Sequence, residues 1–244
     1  MKKTFVIGDI HGGLKALKEI LEKAPIEKDD LLIFLGDYVD GWSESSKVIQ
    51  FLIELEKKQS CIFIEGNHDL WCRKWLENGE TPSTWLLHGG RETIESYKRN
   101  KNISREEHLS FLKNLVKFYV DKENRLFIHA GFTSTYGPER ELSRDNHIWD
   151  RTLWELALAT QKDLEEDHIF YPKRLKLFKE IFIGHTPTTR VSCTIPMQAM
   201  NVWNVDTGAA FKGKLSIMDI DSQEYWQSEA LPILYPMEKG RNKD

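Results

Sequence analysis

Phe5-Val6-Ile7-Gly8-Asp9-Ile10-His11, Leu31-Leu32-Ile33-Phe34-Leu35-Gly36-Asp37-Tyr38-Val39-Asp40 and Cys61-Ile62-Phe63-Ile64-Glu65-Gly66-Asn67-His68-Asp69 share one pattern: an apolar run, a glycine, then acids, amides and imidazoles. A short continuous apolar run bounded by glycine reads as a strand covered on both faces. Between the first two runs Leu14, Leu17, Ile20 and Leu21 recur at helical spacing until Pro25 interrupts. Between the second and third, Val48, Ile49, Leu52, Ile53 and Leu55 do the same, with Ser43 as the predicted cap. Strands alternating with helices in this way are the βαβ signature of a parallel sheet with helices outside.

Downstream, residues 81–117 read as helical, with Ser104-Arg105-Glu106-Glu107 as a capping box before a helix from His108 to Val116. Phe118-Tyr119-Val120 and Leu126-Phe127-Ile128 flank the polar turn Asp121-Lys122-Glu123-Asn124, which predicts a hairpin. Another helix is expected over Trp149–Gln161, and strands at Ile181–Ile183, Met200–Val205, Leu215–Ile220 and Tyr225–Gln227. The chain reads as a single domain over 1–235, with a helical, cap-like insertion at about 70–117 and a frayed tail over 236–244.

Composition narrows the function. The 244 residues carry 34 Lys and Arg against 38 Asp and Glu, a net charge of −4, so nucleic acid is not held by a bulk basic face. Three cysteines, Cys61, Cys72 and Cys193, have no metal-type spacing and suggest neither a disulfide framework nor a zinc ribbon. No signal-peptide core follows Lys2-Lys3, and no run approaches the roughly 20 apolar residues of a membrane span. The expectation is a soluble, cytoplasmic protein with no stable nucleic-acid or membrane partner; oligomeric state is not legible.

In a parallel sheet the carboxyl ends of adjacent strands converge on the crevice where α/β proteins place ligands. Two later runs also deliver a histidine there, Leu126-Phe127-Ile128-His129-Ala130-Gly131 and Ile181-Phe182-Ile183-Gly184-His185-Thr186-Pro187. Acids and imidazoles gathered in one crevice repel or desolvate badly unless cations share it. A dinuclear metal site is the economical explanation.

Gly-Asp-Ile-His-Gly, Gly-Asp-Tyr-Val-Asp-Gly, Gly-Asn-His-Asp, His-Ala-Gly and Gly-His-Thr-Pro, in this order, resemble the calcineurin-like metallophosphoesterase superfamily over residues 4 to about 220. Pro187 after His185-Thr186 points to its branch of phosphoprotein phosphatases and symmetrical diadenosine tetraphosphatases. The resemblance implies a four-layer α/β/β/α sandwich of two mixed sheets. It also implies that Asp9 and His11 hold one metal, that Asp37 bridges two, and that Asn67, His129 and His185 hold the second. A metal-bridging hydroxide would then attack phosphorus, with His68 as general acid and Asp40 orienting it. Oxygen and imidazole donors suit two divalent ions, Mn²⁺ first, with Fe or Zn²⁺ as alternatives.

One departure matters. Phosphoprotein phosphatases of this branch carry Arg directly after the second aspartate, where this chain has Gly41. A phosphoryl dianion favours a guanidinium fork, and Arg151 is the expected substitute, with Arg73 and Arg91 behind it. Asp206 is expected to support His185. His88 could border the pocket or simply start a helix. His108, His147 and His168, in charged stretches, are expected at the surface, and Trp154 in the core. The leading reading is a metal-dependent hydrolase of phosphate monoesters, on a phosphoprotein, nucleotide or small phosphoester. The alternatives are a symmetrical dinucleoside tetraphosphate hydrolase and a non-enzymatic binding module on the same fold.

Overall fold

The computed structural model describes residues 2–143, 145–160 and 163–242. Its strands, in chain order, are Thr4–Ile7 (β1), Leu31–Phe34 (β2), Ser60–Phe63 (β3), Phe118–Val120 (β4), Arg125–Ile128 (β5), Glu180–Ile183 (β6), Met197–Ala199 (β7), Val202–Asn204 (β8), Ser216–Asp219 (β9) and Tyr225–Gln227 (β10). Helices Leu14–Lys23 (α1) and Ser45–Glu56 (α2) make the parallel crossovers from β1 to β2 and from β2 to β3. The strands form two five-stranded sheets, ordered β10-β9-β1-β2-β3 and β4-β5-β6-β8-β7. Both are mixed. In the first, β9 runs antiparallel to β1; in the second, β5, β6 and β8 are parallel and the flanking β4 and β7 antiparallel.

Period-two alternation of side chains along each strand makes the layers. Phe5, Ile7, Leu32 and Phe34 pack with Leu17, Ile20, Val48 and Leu52 of α1 and α2. Val6, Ile33 and Leu35, pointing the other way, meet Phe127, Phe182 and Val205 of the second sheet. Leu126, Ile128, Ile181 and Ile183 turn outward onto Leu153 and Trp154 of the helix Thr152–Ala159. The result is the α/β/β/α sandwich that the resemblance implies. Phe127 and Phe182 stack in the shared inner core, their centroids 4.9 Å apart and planes 9° from parallel. Truncating Phe182 to Ala there should cost about 3–5 kcal/mol of stability.

Several local expectations change. Ser43 does not cap α2; its hydroxyl donates to Glu238 Oε1 at 2.6 Å, and Glu44 takes the cap position. The helix expected over Trp149–Gln161 is two, Asn146–Trp149 and Thr152–Ala159. Asp150 separates them because its carboxylate accepts from the backbone N–H of Thr152 (3.0 Å) and Leu153 (3.1 Å), a cap that restarts the helix; Gln161 lies outside the described residues. Residues 81–117 hold helical pieces, chiefly Arg91–Arg99 and Arg105–Lys113, the second capped by Ser104 Oγ accepting from Glu107 N at 3.2 Å.

Residues 236–242, expected to fray, instead fold back over the domain. Tyr235 stacks on Trp42 with centroids 5.3 Å apart, and Glu238 accepts from both the backbone and hydroxyl of Ser43. Lys243 and Asp244 lie outside the described residues. Charge in the neighbouring sequence also misplaces two histidines: His108 and His147 are buried, while His168 is exposed as expected. No helix among the described residues is long and apolar enough to cross a membrane.

Candidate active site

The ends of β1, β2, β5 and β6, and the first turn of the helix Asn67–Asn78 (α3) after β3, deliver Asp9, His11, Asp37, Asp40, Asn67, His68, His129 and His185 to one crevice, all of them buried. Donor atoms of His11, Asp37 and His68 lie within 4.8 Å of one another, and so do those of Asp37, His129 and His185. Asp37 belongs to both groups: its Oδ2 is 3.5 Å from His11 Nε2 and 3.5 Å from His129 Nε2. Asp9 Oδ2 is 3.9 Å from His11 Nε2, and Asn67 Oδ1 is 3.4 Å from His129 Nε2. All six residues expected as ligands are therefore in one place, with His68 against the first group.

The backbone is bent hard to achieve this. His11 (φ 51°), Asp37 (φ 54°), Asp40 (φ 72°) and His185 (φ 64°) all adopt the left-handed conformation, which costs a non-glycine residue about 1–2 kcal/mol. The surroundings enforce it. Asp69 accepts from the backbone N–H of Asp37 (2.7 Å), Tyr38 (2.9 Å) and Gly66 (2.9 Å), locking the turn after β2 against the start of α3. His185 N donates to Asp9 Oδ2 at 3.0 Å, and a Cβ on Gly184 would overlap the Asp9 carboxylate, so only glycine lets β6 approach so closely. His129 Nδ1 donates to Leu35 O at 2.7 Å and His11 Nδ1 to Asp40 O at 3.0 Å. Both rings thereby turn an unprotonated Nε2 towards Asp37.

Burial makes this cluster electrostatically uncomfortable. It raises the Asp9 carboxyl well above the usual carboxylate range, helped by Asp206 and Asp37. It lowers the imidazoles of His11, His68, His129 and His185. His185 Nε2 is buried with no hydrogen-bond partner among the described residues. A carboxyl that resists ionising, neutral imidazoles and an orphaned nitrogen are what a divalent cation relieves.

A family model described as calcineurin-like phosphoesterase matches residues 2–211. The chain belongs to that family. It is a metallophosphoesterase, a hydrolase whose family implies divalent metal ions, and the oxygen and imidazole donors around Asp37 fit them. Among its relatives are proteins named bis(5′-nucleosyl)-tetraphosphatase PrpE, asymmetrical. That of Bacillus thuringiensis subsp. konkukian is 27% identical over 88% of this chain and 89% of its own length. That of Bacillus cereus strain AH187 is 26% identical over the same shares. Similar solved structures include a metallophosphoesterase from Sphaerobacter thermophilus, with TM-score 0.56 and 17% identity over 93% of this chain and 89% of the other. A protein serine/threonine phosphatase from Saccharomyces cerevisiae has TM-score 0.59 and 17% identity over 94% and 80%. These structures share the fold.

Within this phosphoesterase, His68 Nδ1 donates to Asp40 Oδ2 at 2.6 Å. Trp85 Nε1 donates to the same oxygen at 2.6 Å and Thr93 Oγ1 to Oδ1 at 2.6 Å. Burial pushes the Asp40 carboxyl up to about 8 against the pull of these donors. The His68 ring lines a cavity of about 760 Å³ together with Asp37. Arg151 and Arg91 also line the cavity, and Arg151 Nε is buried without a hydrogen-bond partner among the described residues. Arg73, by contrast, pairs with Glu65 at 2.9 Å and lies away from the cavity. Asp206, expected to support His185, lines the same cavity and accepts from Gly208 N at 2.9 Å. His88 borders the cavity.

Three positioning residues escape the sequence reading. Asp69 was visible as the last letter of Gly-Asn-His-Asp. Trp85 and Thr93 come from the helical insertion, where no local pattern marks a residue that holds Asp40.

Proposed function

We propose that this metallophosphoesterase hydrolyses dinucleoside tetraphosphates, with Asp9, His11, Asp37, Asn67, His129 and His185 holding two divalent ions, Mn²⁺ foremost. The observation that carries the chemistry is the buried Asp40–His68 pair, 2.6 Å apart, of which His68 lines the cavity beside Asp37. The relatives' names and the walls of the cavity support the substrate class. Trp71 and Trp149 stand edge to face at 5.1 Å, beside Arg151 and Arg91, and offer apolar surface for a base next to cations for a polyphosphate. When bound, the ions would supply Lewis-acid charge for the phosphoryl oxygens and acidify the attacking water. His68 donates its Nε2 proton to the leaving phosphate oxygen. Asp40, accepting from Nδ1, fixes the tautomer and orients the ring. Arg151 holds a phosphate with a planar guanidinium.

The test is a parallel assay of diadenosine tetraphosphate, a phosphoserine peptide and p-nitrophenyl phosphate on Mn²⁺-loaded protein, with nucleotide products separated. Preferred hydrolysis of the dinucleotide to ATP and AMP is expected, as the relatives' asymmetrical label suggests. Two ADP would favour the symmetrical cleavage instead. A preference for the phosphopeptide with the dinucleotide untouched would overturn the substrate reading and restore the phosphomonoester one.

A further inference from the structure

Arg241 comes from the returning segment after Tyr235, beyond the 2–211 stretch matched by the family model, yet it lines the same cavity as His68, Asp37 and Arg151. Its position is built. Its backbone N–H donates to Ala210 O at 2.9 Å, and its guanidinium lies over the Phe211 ring, 5.3 Å from the centroid. Gly240 (φ 58°) lets the chain press against the Trp42 indole, whose Nε1 donates to Ala209 O at 2.7 Å. Glu238, bonded to Ser43 at 2.6 and 2.9 Å, ties the same segment to the loop after Asp40.

The stem of Arg241 passes directly over Gly41: Cγ would stand 3.2 Å and Cδ 3.6 Å from a Cβ built there. Gly41 itself has φ 118°, a conformation that a side-chain-bearing residue rarely adopts, so no guanidinium could be mounted at position 41 without rebuilding the turn. The space a side chain from 41 would fill is occupied by one from 241. Arg241 Nε is buried without a hydrogen-bond partner among the described residues. Burial lowers its affinity for the proton, and Asp37, Asp40, Asp206 and Asp9 favour its charge. A guanidinium held in a cleft by stacking and backbone contacts, with a donor unused, is prepared for an anion.

We infer that Arg241 is a phosphate-binding residue of this active site, delivered by the carboxyl-terminal segment to the place that Gly41 leaves open. It pairs across the cavity with Arg151, whose Nε is likewise unused. The inference rests on the phosphoesterase reading but not on which phosphorylated substrate is turned over.

The test uses the Mn²⁺-loaded protein and two variants, Arg241→Met, which keeps the stem over Phe211 and removes the charge, and Arg241→Lys. Orthophosphate is titrated calorimetrically, metal content is measured by elemental analysis, and KM and kcat are measured on whichever panel substrate is hydrolysed. Arg241→Met should weaken orthophosphate binding and raise KM by about 10- to 100-fold, the range for a hydrogen bond to a charged group, while metal content holds. Arg241→Lys should recover part of the loss, since a point charge replaces a fork. Unchanged orthophosphate affinity in Arg241→Met would overturn the inference. So would a loss of metal in step with the loss of phosphate, which would make Arg241 a counter-charge for the acids alone. A protein that turns over none of the panel yet loses orthophosphate affinity in Arg241→Met would refute the proposed function and leave this inference standing.

Discussion

His68 and His108 are both buried imidazoles whose Nδ1 has a close partner, yet their surroundings differ in kind. His108 accepts from Tyr97 OH at 2.7 Å and donates through Nε2 to Gln50 Oε1 at 3.2 Å, so both nitrogens are closed by neutral groups. His68 spends Nδ1 on the Asp40 carboxyl at 2.6 Å and lines a cavity. The first arrangement fixes one tautomer and joins two helices of the insertion to α2. The second is poised to gain and lose a proton. Burial alone thus says little about function; a carboxyl partner on one nitrogen of a ring that also lines a cavity says a good deal.

The strongest way to break this contrast is to remove the residue that both candidate metal groups share. Asp37→Ala should lose both metal equivalents on elemental analysis and take turnover to background, whereas retention of two metals with near-native activity would refute the site. A subtler change sharpens it. Thr93→Val removes the Thr93 hydroxyl that donates to Asp40 Oδ1 while keeping volume, and should lower turnover about tenfold with metal content intact. Loss confined to stability would reduce Thr93 to a packing residue.

The smallest effect on catalysis is expected at His108, where the readout is stability. Burial holds its imidazole down to about 4, below the ordinary value of 6.5. The unfolded chain therefore takes up a proton here that the folded one does not, between about pH 6.5 and 4. Stability from this site is complete above pH 6.5 and is lost as pH falls through that window, by up to about 3 kcal/mol. In His108→Gln, urea midpoints should fall less steeply than wild type over this range, with turnover unchanged. Parallel curves would show that His108 titrates normally.

The strands, and through the motifs that carry the resemblance the sandwich and the candidate ligands, are legible in the sequence because those motifs are local. Val6, Ile33 and Phe182 announce strands by continuous apolar runs, and Asp9, Asp37, Asn67, His129 and His185 each sit within a few residues of a strand end. What escaped is assembled across distance. Trp85 and Thr93 reach Asp40 from a helical insertion, and Arg241 arrives from a segment whose basic, Pro-containing composition reads as a tail. Nothing in the residues around 241 announces the empty place above Gly41. His108 and His147 were misread for a related reason: a charged neighbourhood describes one helix face, and these histidines lie on the other.

The central claim is that His68 donates a proton to the leaving group, and its most direct test compares two esters in one variant. His68→Asn in Mn²⁺-loaded protein should keep both metals and lower turnover of an alkyl phosphate such as phosphoserine by roughly 10²–10⁴-fold. The loss should be far smaller on p-nitrophenyl phosphate, whose phenolate leaves without protonation. Equal losses on the two esters, with metals retained, would contradict proton donation and recast His68 as a residue that only positions the substrate.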